Sequence, residues 1–317
     1  MKFSLTLATI LLFFSCQTKK ENTSDTDAIL EYQIEAKLGE GAVWNLDTEE
    51  LYWIDIEGKK LHIYHPETKS NTTLAVPSRI GTVVPTTSKD TVVVALQDGV
   101  YYMNTKTGGL QQLSDVEQQM TGNRFNDGKC DPSGRFWVGS VALDETPEAA
   151  NLYMIDALGH AELKKDSVTI SNGIVWTKDK KTMYYIDTPT AQIKAYDYND
   201  TTGQITNERI AVNVPNSLGF PDGMTIDEND HLWVGMWNGN AVICFDPETG
   251  KVLSKINVPA HNVTSCAFGG KNLDILYITT ASVDMTAEEH DAFPLAGALF
   301  KVSPGVKGVK SNHFITP

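Results

Sequence analysis

The chain has no C-x-x-C pair, no long amphipathic helical stretch and no block of basic residues, and nowhere does it hold an apolar run long enough to cross a bilayer as a helix. Each absence closes off a class. There are four cysteines, Cys16, Cys130, Cys244 and Cys266. Three of them fall in the body of the chain, and without close pairs they make neither a disulfide framework nor a zinc ribbon. Buried free thiols are the expectation. Lys and Arg number 26 against 40 Asp and Glu, a net charge of −14. Such a chain repels phosphate backbones, so nucleic-acid binding is excluded as a leading function. A serine nucleophile elbow needs Gly-x-Ser-x-Gly, and Pro215-Asn216-Ser217-Leu218-Gly219 fails at its first position. There is no Walker A loop. His62 and His65 lie three apart on a strand-like run, so they point to opposite faces and do not pair as ligands.

What is present begins with an export-like segment. Lys2 precedes the apolar run Leu5 to Phe14, then Ser15 and Cys16. This reads as a lipoprotein signal over residues 1–15 with acylation of Cys16, although Phe13 and Phe14 depart from the tightest form of that pattern. The competing reading is an ordinary secretory signal with an incidental cysteine. Gln17 to Ala28 is polar and cannot bury a core, so residues 16–28 read as a flexible tether. The expected localisation is the cell envelope, periplasmic or outer-membrane face. The only membrane contact would be the lipid anchor.

From residue 29 onward, short runs rich in Val, Ile, Tyr and Trp alternate with Gly, Pro, Asp and Asn, an all-β signature. The runs share a shape: Leu51-Tyr52-Trp53-Ile54-Asp55, Arg135-Phe136-Trp137-Val138-Gly139, Met183-Tyr184-Tyr185-Ile186-Asp187 and His231-Leu232-Trp233-Val234-Gly235. Weaker copies are Thr91-Val92-Val93-Val94 and Ile275-Leu276-Tyr277-Ile278. Aligned at Tyr52, Val92, Phe136, Tyr184, Leu232 and Leu276, they step by 40, 44, 48, 48 and 44 residues. A four-stranded propeller blade takes about 40–45 residues. Six copies predict a six-bladed β-propeller over residues 29–317, with most tryptophans packing the blades and Trp237 a candidate for the channel mouth. A closed ring also makes a monomer the default. A β-sandwich, the competing all-β reading, needs no fixed period.

Upstream of five of the core runs sits a glycine: Gly41, Gly81, Gly128, Gly173 and Gly223. The residues before them are Glu40, Ile80, Asp127, Asn172 and Asp222; the sixth copy has Thr264-Ser265-Cys266. Equivalent positions in a propeller are related by rotation, so these side chains converge on the channel. Two carboxylates and an amide make a site for a hard divalent cation, with waters completing the shell: Ca²⁺ first, or Mg²⁺, Mn²⁺ or Zn²⁺. Asp-Gly and Asn-Gly taken singly are commonly turns. His261, near Thr264, reads as a loop or packing residue.

The motifs Gly39-Glu40-Gly41-Ala42-Val43-Trp44, Asn123-Arg124-Phe125-Asn126-Asp127-Gly128-Lys129, Ser171-Asn172-Gly173, Phe220-Pro221-Asp222-Gly223 and Thr264-Ser265-Cys266-Ala267-Phe268-Gly269-Gly270 stand in one order along the chain. Over about Leu38 to Gly308 the sequence resembles the gluconolactonase/regucalcin (senescence marker protein) family. The resemblance implies a six-bladed propeller with one divalent metal in its channel, held by Glu40, Asn172 and Asp222. It implies substrate contacts from Arg124 and Asn126, with Asp127 in the same cluster. A family acidic residue that touches substrate hydroxyls falls at Asp144 or Glu145. Ala42 stands where the family often has proline.

The expected activity is metal-dependent hydrolysis of sugar or aldonic lactones, with Asp222 or Asp127 as the base for the attacking water. Aryl-ester or phosphotriester hydrolysis on the same scaffold is an alternative. So is a non-catalytic, metal-stabilised binding propeller.

Overall fold

The computed structural model describes residues 24–317. The apolar run and Cys16 lie outside them. Strands β1 (Ser24–Asp27) and β2 (Ile29–Tyr32) come first. Blade 1 is β3 (Gly39–Asn45), β4 (Glu50–Asp55), β5 (Lys60–His65) and β6 (Ser70–Ala75). Blade 2 is β7 (Ile80–Pro85), β8 (Thr91–Leu96), β9 (Gly99–Asn104) and β10 (Leu110–Ser114). Blade 3 is β11 (Asn123–Cys130), β12 (Phe136–Ala142), β13 (Ala150–Ile155) and β14 (Ala161–Val168). Blade 4 is β15 (Ser171–Trp176), β16 (Thr182–Asp187), β17 (Gln192–Asn199) and β18 (Gln204–Asn213). Blade 5 is β19 (Phe220–Ile226), β20 (Leu232–Trp237), β21 (Ala241–Asp246) and β22 (Lys251–Asn257). Blade 6 takes β23 (Asn262–Gly269), β24 (Ile275–Ala281) and β25 (Leu299–Val302). Its fourth strand is β2, antiparallel to β25, so the two ends of the chain close the ring.

The six-bladed propeller expected from the repeat is thus the architecture observed. The inner strands are buried and the outermost ones polar, as β3 and β6 illustrate. The core is divided into six apolar clusters, each shared by two neighbouring blades: Val84, Val93, Phe125 and Phe136 join blades 2 and 3, for example. A blade therefore buries its faces only against its neighbours, which is why the repeat must close. The C-terminal tail runs across the end of the ring away from the starts of the inner strands. Phe314 is fully buried there, and its amide donates to Pro85 O at 2.8 Å. Cys130, Cys244 and Cys266 are free and buried. His62 is buried and stacks on Trp53, with ring centroids 4.1 Å apart.

One boundary differs from expectation. Residues 24–27, read as part of a tether, pair in parallel with β22 and give blade 5 a fifth strand. The outer edge of β22 offers unpaired backbone groups, and an extended chain satisfies them without contributing apolar side chains.

A recurring device holds the back turns. Asp131 accepts from the Ser133 and Arg135 amides through Oδ1, and from Arg135 Nε, Trp137 Nε1 and Tyr198 OH through Oδ2. Asp227 repeats the pattern with the Asn229 and His231 amides and Trp233 Nε1. Asp131→Ala would leave a guanidinium and an indole without their buried acceptor. A loss of about 3–5 kcal/mol of stability is expected, with kcat of the folded protein unchanged. Denaturant unfolding checks this, and a loss under about 1 kcal/mol would make the network incidental.

Candidate active site

Glu40, Asn172 and Asp222 stand near the starts of the inner strands β3, β15 and β19. In all six inner strands the pairing register slips at this level: between Glu40 and Val43, Ile80 and Thr82, Phe125 and Gly128, Ser171 and Ile174, Pro221 and Met224, and Val263 and Cys266. A β-bulge takes side chains off the regular pleat and re-aims them, here toward the axis. The Asp-Gly and Asn-Gly pairs are therefore bulged strand, not hairpin turns. The glycines permit the crowding that follows. A Cβ on Gly173 would lie 2.8 Å from Asp222 O, and one on Gly223 2.6 Å from Ser265 Oγ. The entering loops are clamped as well. Asp55 accepts from the Lys37 and Leu38 amides, and Asp187 from those of Thr169 and Ile170. These two aspartates end the Tyr-rich repeat motifs of blades 1 and 4.

The result is a cavity of about 390 Å³ at the mouth of the channel, lined among others by Glu40, Arg124, Asn126, Glu145, Asn172 and Asp222. Arg124 NH1 donates to Asn126 Oδ1 at 2.6 Å; Asn126 Nδ2 donates to Asn172 Oδ1 at 3.0 Å and Ser171 O at 2.7 Å. Asn172 Nδ2 donates to Thr188 Oγ1 at 2.8 Å, and Thr188 passes the chain to Pro221 O at 2.8 Å. Four side chains from blades 3 and 4 are thus oriented in series and tied to blade 5. Thr188, the residue after the motif aspartate Asp187, was not picked out by sequence reasoning.

At the cavity floor, and just beneath it at Asp127, the charges crowd. Glu40, Asp127 and Asp222 are all buried. Burial raises the Glu40 carboxyl to about 8, with the charge of Asp127 adding to it. Burial likewise raises Asp222 well above the usual range, helped by Glu40 and Asp127, and it raises Asp127. Lys129, whose ammonium donates to Met224 O, opposes the shifts of Glu40 and Asp127. Once ionised, the three carboxylates would outnumber the nearby Lys129 ammonium and Arg124 guanidinium.

A family model described as the SMP-30/gluconolactonase/LRE-like region matches residues 38–282. The chain belongs to this family. Among members of the SMP-30/gluconolactonase family, "Putative sugar lactone lactonase YvrE" of Bacillus subtilis is 40% identical over 288 residues, covering 91% of this chain and 98% of the relative. Regucalcin of Danio rerio is 36% identical, covering 86% of this chain and 93% of its own. Among solved structures, a calcium-binding regucalcin from Agrobacterium tumefaciens superposes with a TM-score of 0.87 at 25% identity, covering 92% of this chain and 98% of that one. A luciferin-regenerating enzyme superposes with a TM-score of 0.85 at 31% identity, covering 92% and 99%.

The buried acids fit the divalent cation that membership of the SMP-30/gluconolactonase family implies. Glu40 Oε2 accepts from the Gly41 amide at 2.6 Å and Asp127 Oδ1 from the Gly128 amide at 2.7 Å, but Glu40 Oε1 and Asp127 Oδ2 are buried without a hydrogen-bond partner. Buried carboxylate oxygens without a partner, in a cluster whose acids outnumber its cations, are the donor set a hard cation takes. A second trio, Asp227, His231 and Cys244, has donor atoms within 4.8 Å of one another. There both Asp227 oxygens are already engaged by the turn amides and the Trp233 indole. Asp131 has the same arrangement with Arg135 in place of the histidine, so we read the trio as the structural turn.

The remaining candidates separate. Trp237 lines the mouth. Asp144 does not: it is exposed and turned back on its own loop, accepting from the Thr146 amide and hydroxyl. Of the two acidic positions weighed there, Glu145 is the one on the cavity wall. His261 pairs with Glu289 at 3.2 Å, away from the cavity lining.

Proposed function

We propose that the chain is a divalent-cation-dependent lactonase that opens sugar or aldonic lactones. The observation carrying this reading is the set of buried carboxyls with unpartnered oxygens directly beside the Arg124–Asn126 pair; a purely structural ion would not need that pair. The relatives named as lactone hydrolases support it. Glu40, Asn172 and Asp222 would hold the cation, Ca²⁺ in the first instance. Bound there, a divalent cation supplies Lewis-acid polarisation of the lactone carbonyl and stabilisation of the developing oxyanion.

The chain's own groups do the rest. Arg124 and Asn126 donate hydrogen bonds to lactone oxygens and hold the ring in place. Asp222 lines the cavity and Asp127 does not, so Asp222 is the carboxylate placed to take a proton from the attacking water. Asp127 sits beneath it as fixed negative charge. The closing wall of Ile56, Ile170, Pro189 and Phe220 excludes water from one side of the site. That apolar side is also what favours aryl esters as a second reading.

The test follows acid release from five- and six-membered aldonolactones, with phenyl acetate alongside. The protein is first stripped by chelation and then given Ca²⁺, Mg²⁺, Mn²⁺ or Zn²⁺. Cation-restored lactone turnover supports the reading. Turnover of phenyl acetate alone moves it to esters, and an intact fold without turnover sinks it. We also propose export and acylation at Cys16, supported by the apolar run that precedes it. Wild type should partition into the membrane fraction and Cys16→Ser should not; equal partition would sink the anchor.

A further inference from the structure

Between β24 and β25 the chain leaves blade 6 and makes an insertion, residues 282–298, that includes the short helix α1 (Ala287–Ala292). One residue of it, Asp284, lines the mouth cavity. Its position is unusually determined. The Ser282 and Val283 amides both donate to Lys37 O, at 2.9 and 3.0 Å. Ser282 Oγ donates to Ala36 O at 3.0 Å, and the fully buried Asn262 donates through Nδ2 to Val283 O at 3.0 Å. On the far side, Thr286 caps α1 in a reciprocal box with Glu289, and Glu289 pairs with His261.

The clamp holds Asp284 at φ 56°, in the left-handed region, where aspartate is several-fold more common than most non-glycine residues. Among the described residues its carboxylate is engaged by no hydrogen bond or ion pair of its own. Asp284 is exposed at the mouth, so its carboxylate stands in solvent where a substrate can reach it.

The ring supplies what the carboxylate faces. In a closed ring of six blades, blade 6 lies across the axis from blade 3, which carries Arg124 and Asn126. The Arg124 and Asn126 donors therefore stand on one side of the mouth and the free Asp284 acceptor on the other. Glu145, in the loop after β12 of blade 3, puts a second carboxylate on the rim on the Arg124 side.

We propose that Asp284 is a specificity residue that accepts a hydrogen bond from a substrate hydroxyl on the edge of the ring away from Arg124. The site thereby selects neutral, hydroxylated lactones over unsubstituted and anionic ones. This rests on the lactonase reading and names its substrate class. A hydroxyl can donate to Asp284 while the lactone oxygens accept from Arg124. A substrate carboxylate would meet Asp284 and Glu145 with like charge. The unsubstituted ring leaves Asp284 without a partner and gains nothing from it.

The test compares wild type, Asp284→Gly and Asp284→Asn at saturating Ca²⁺, on a six-membered aldonolactone and on δ-valerolactone, the same ring without hydroxyls. Asp284→Gly suits the backbone, so thermal stability is expected to stay level or rise. KM for the aldonolactone should rise about tenfold or more in the glycine variant and less in the asparagine variant, which keeps an acceptor. Its kcat should change little, and δ-valerolactone kinetics should not move. Equal KM changes on both lactones, or no change on either, would overturn the specificity role. Turnover of neither lactone by wild type would overturn the lactonase reading, and this inference with it.

Discussion

Asp222→Asn is expected to lower kcat/KM on lactones by about a thousandfold or more, measured at saturating cation. The substitution keeps the shape of the side chain and its place on β19, so the cavity stays intact. It removes two things together. One is a negative charge from a buried group of three, of which Glu40 and Asp127 are the others. The second is the proton acceptor, because an amide cannot take a proton from water at neutral pH. The two losses separate by titration. If Asp222 only held the cation, raising the cation concentration would recover kcat; if it also accepts the proton, kcat stays low at saturation. Activity within tenfold of wild type at saturating cation would show that Asp222 is not the base, and an unchanged cation requirement as well would show that it does neither job. Glu40→Gln provides the comparison. Glu40 Oε1 is a buried oxygen without a partner, so its substitution should weaken cation affinity and leave kcat recoverable.

The second large effect is on stability, and its sign follows from the same carboxyls. Burial raises all three, Glu40 to about 8 and Asp222 and Asp127 above their ordinary values, and repulsion from the neighbouring carboxyls adds to it at Glu40 and Asp222. In the unfolded chain these groups titrate near about 4. Between the two values the folded, cation-free chain keeps protons that the unfolded chain has released, so stability falls as pH rises. The favourable contribution is complete below about pH 4 and is lost as pH rises through the folded-state value near 8. A divalent cation prefers the ionised carboxylates, so it competes with those protons and displaces them on binding. The chelated protein should therefore lose melting temperature steadily from about pH 5 to about pH 9. Millimolar Ca²⁺ should restore little at the acid end and most at the alkaline end. Scanning calorimetry with and without chelator checks both arms. A cation stabilisation of equal size at both ends would mean that the carboxyls are already ionised in the cation-free fold.

Both predictions concern residues that a sequence pattern points to, and the reason lies in how propellers repeat. Rotation about one axis turns a fixed spacing along the chain into a fixed place in space. Glu40, Asp127, Asn172 and Asp222, each beside a glycine at one register of a repeat, therefore had to come near one another once the blades closed. The blade packing was legible for the same reason. Trp53, Trp137, Tyr185 and Trp233 recur at one level of the repeat and are buried between blades.

What the repeat does not carry is everything that depends on neighbouring blades or on local backbone. Asp144 and Glu145 are adjacent and chemically alike, and only the loop conformation decides that one lines the cavity while the other bonds to Thr146. Thr188 matters because its hydroxyl happens to lie between Asn172 and Pro221 O, a relation across two blades. Asp284 sits in an insertion outside the repeat, so no register could align it. Residues 24–27 join blade 5 through backbone pairing, which polar composition does not reveal.

By itself, then, the sequence determined the closed six-blade ring and the set of oxygen donors near its axis, because hydrophobic periodicity and repeat length are properties of the chain read in order. Only the tertiary structure decided which donors face the cavity. That choice is made by the six register slips in the inner strands and by the clamps from Asp55, Asp187 and Asn262, and a bulge or a clamp exists only once a second strand is there to slip against or to hold.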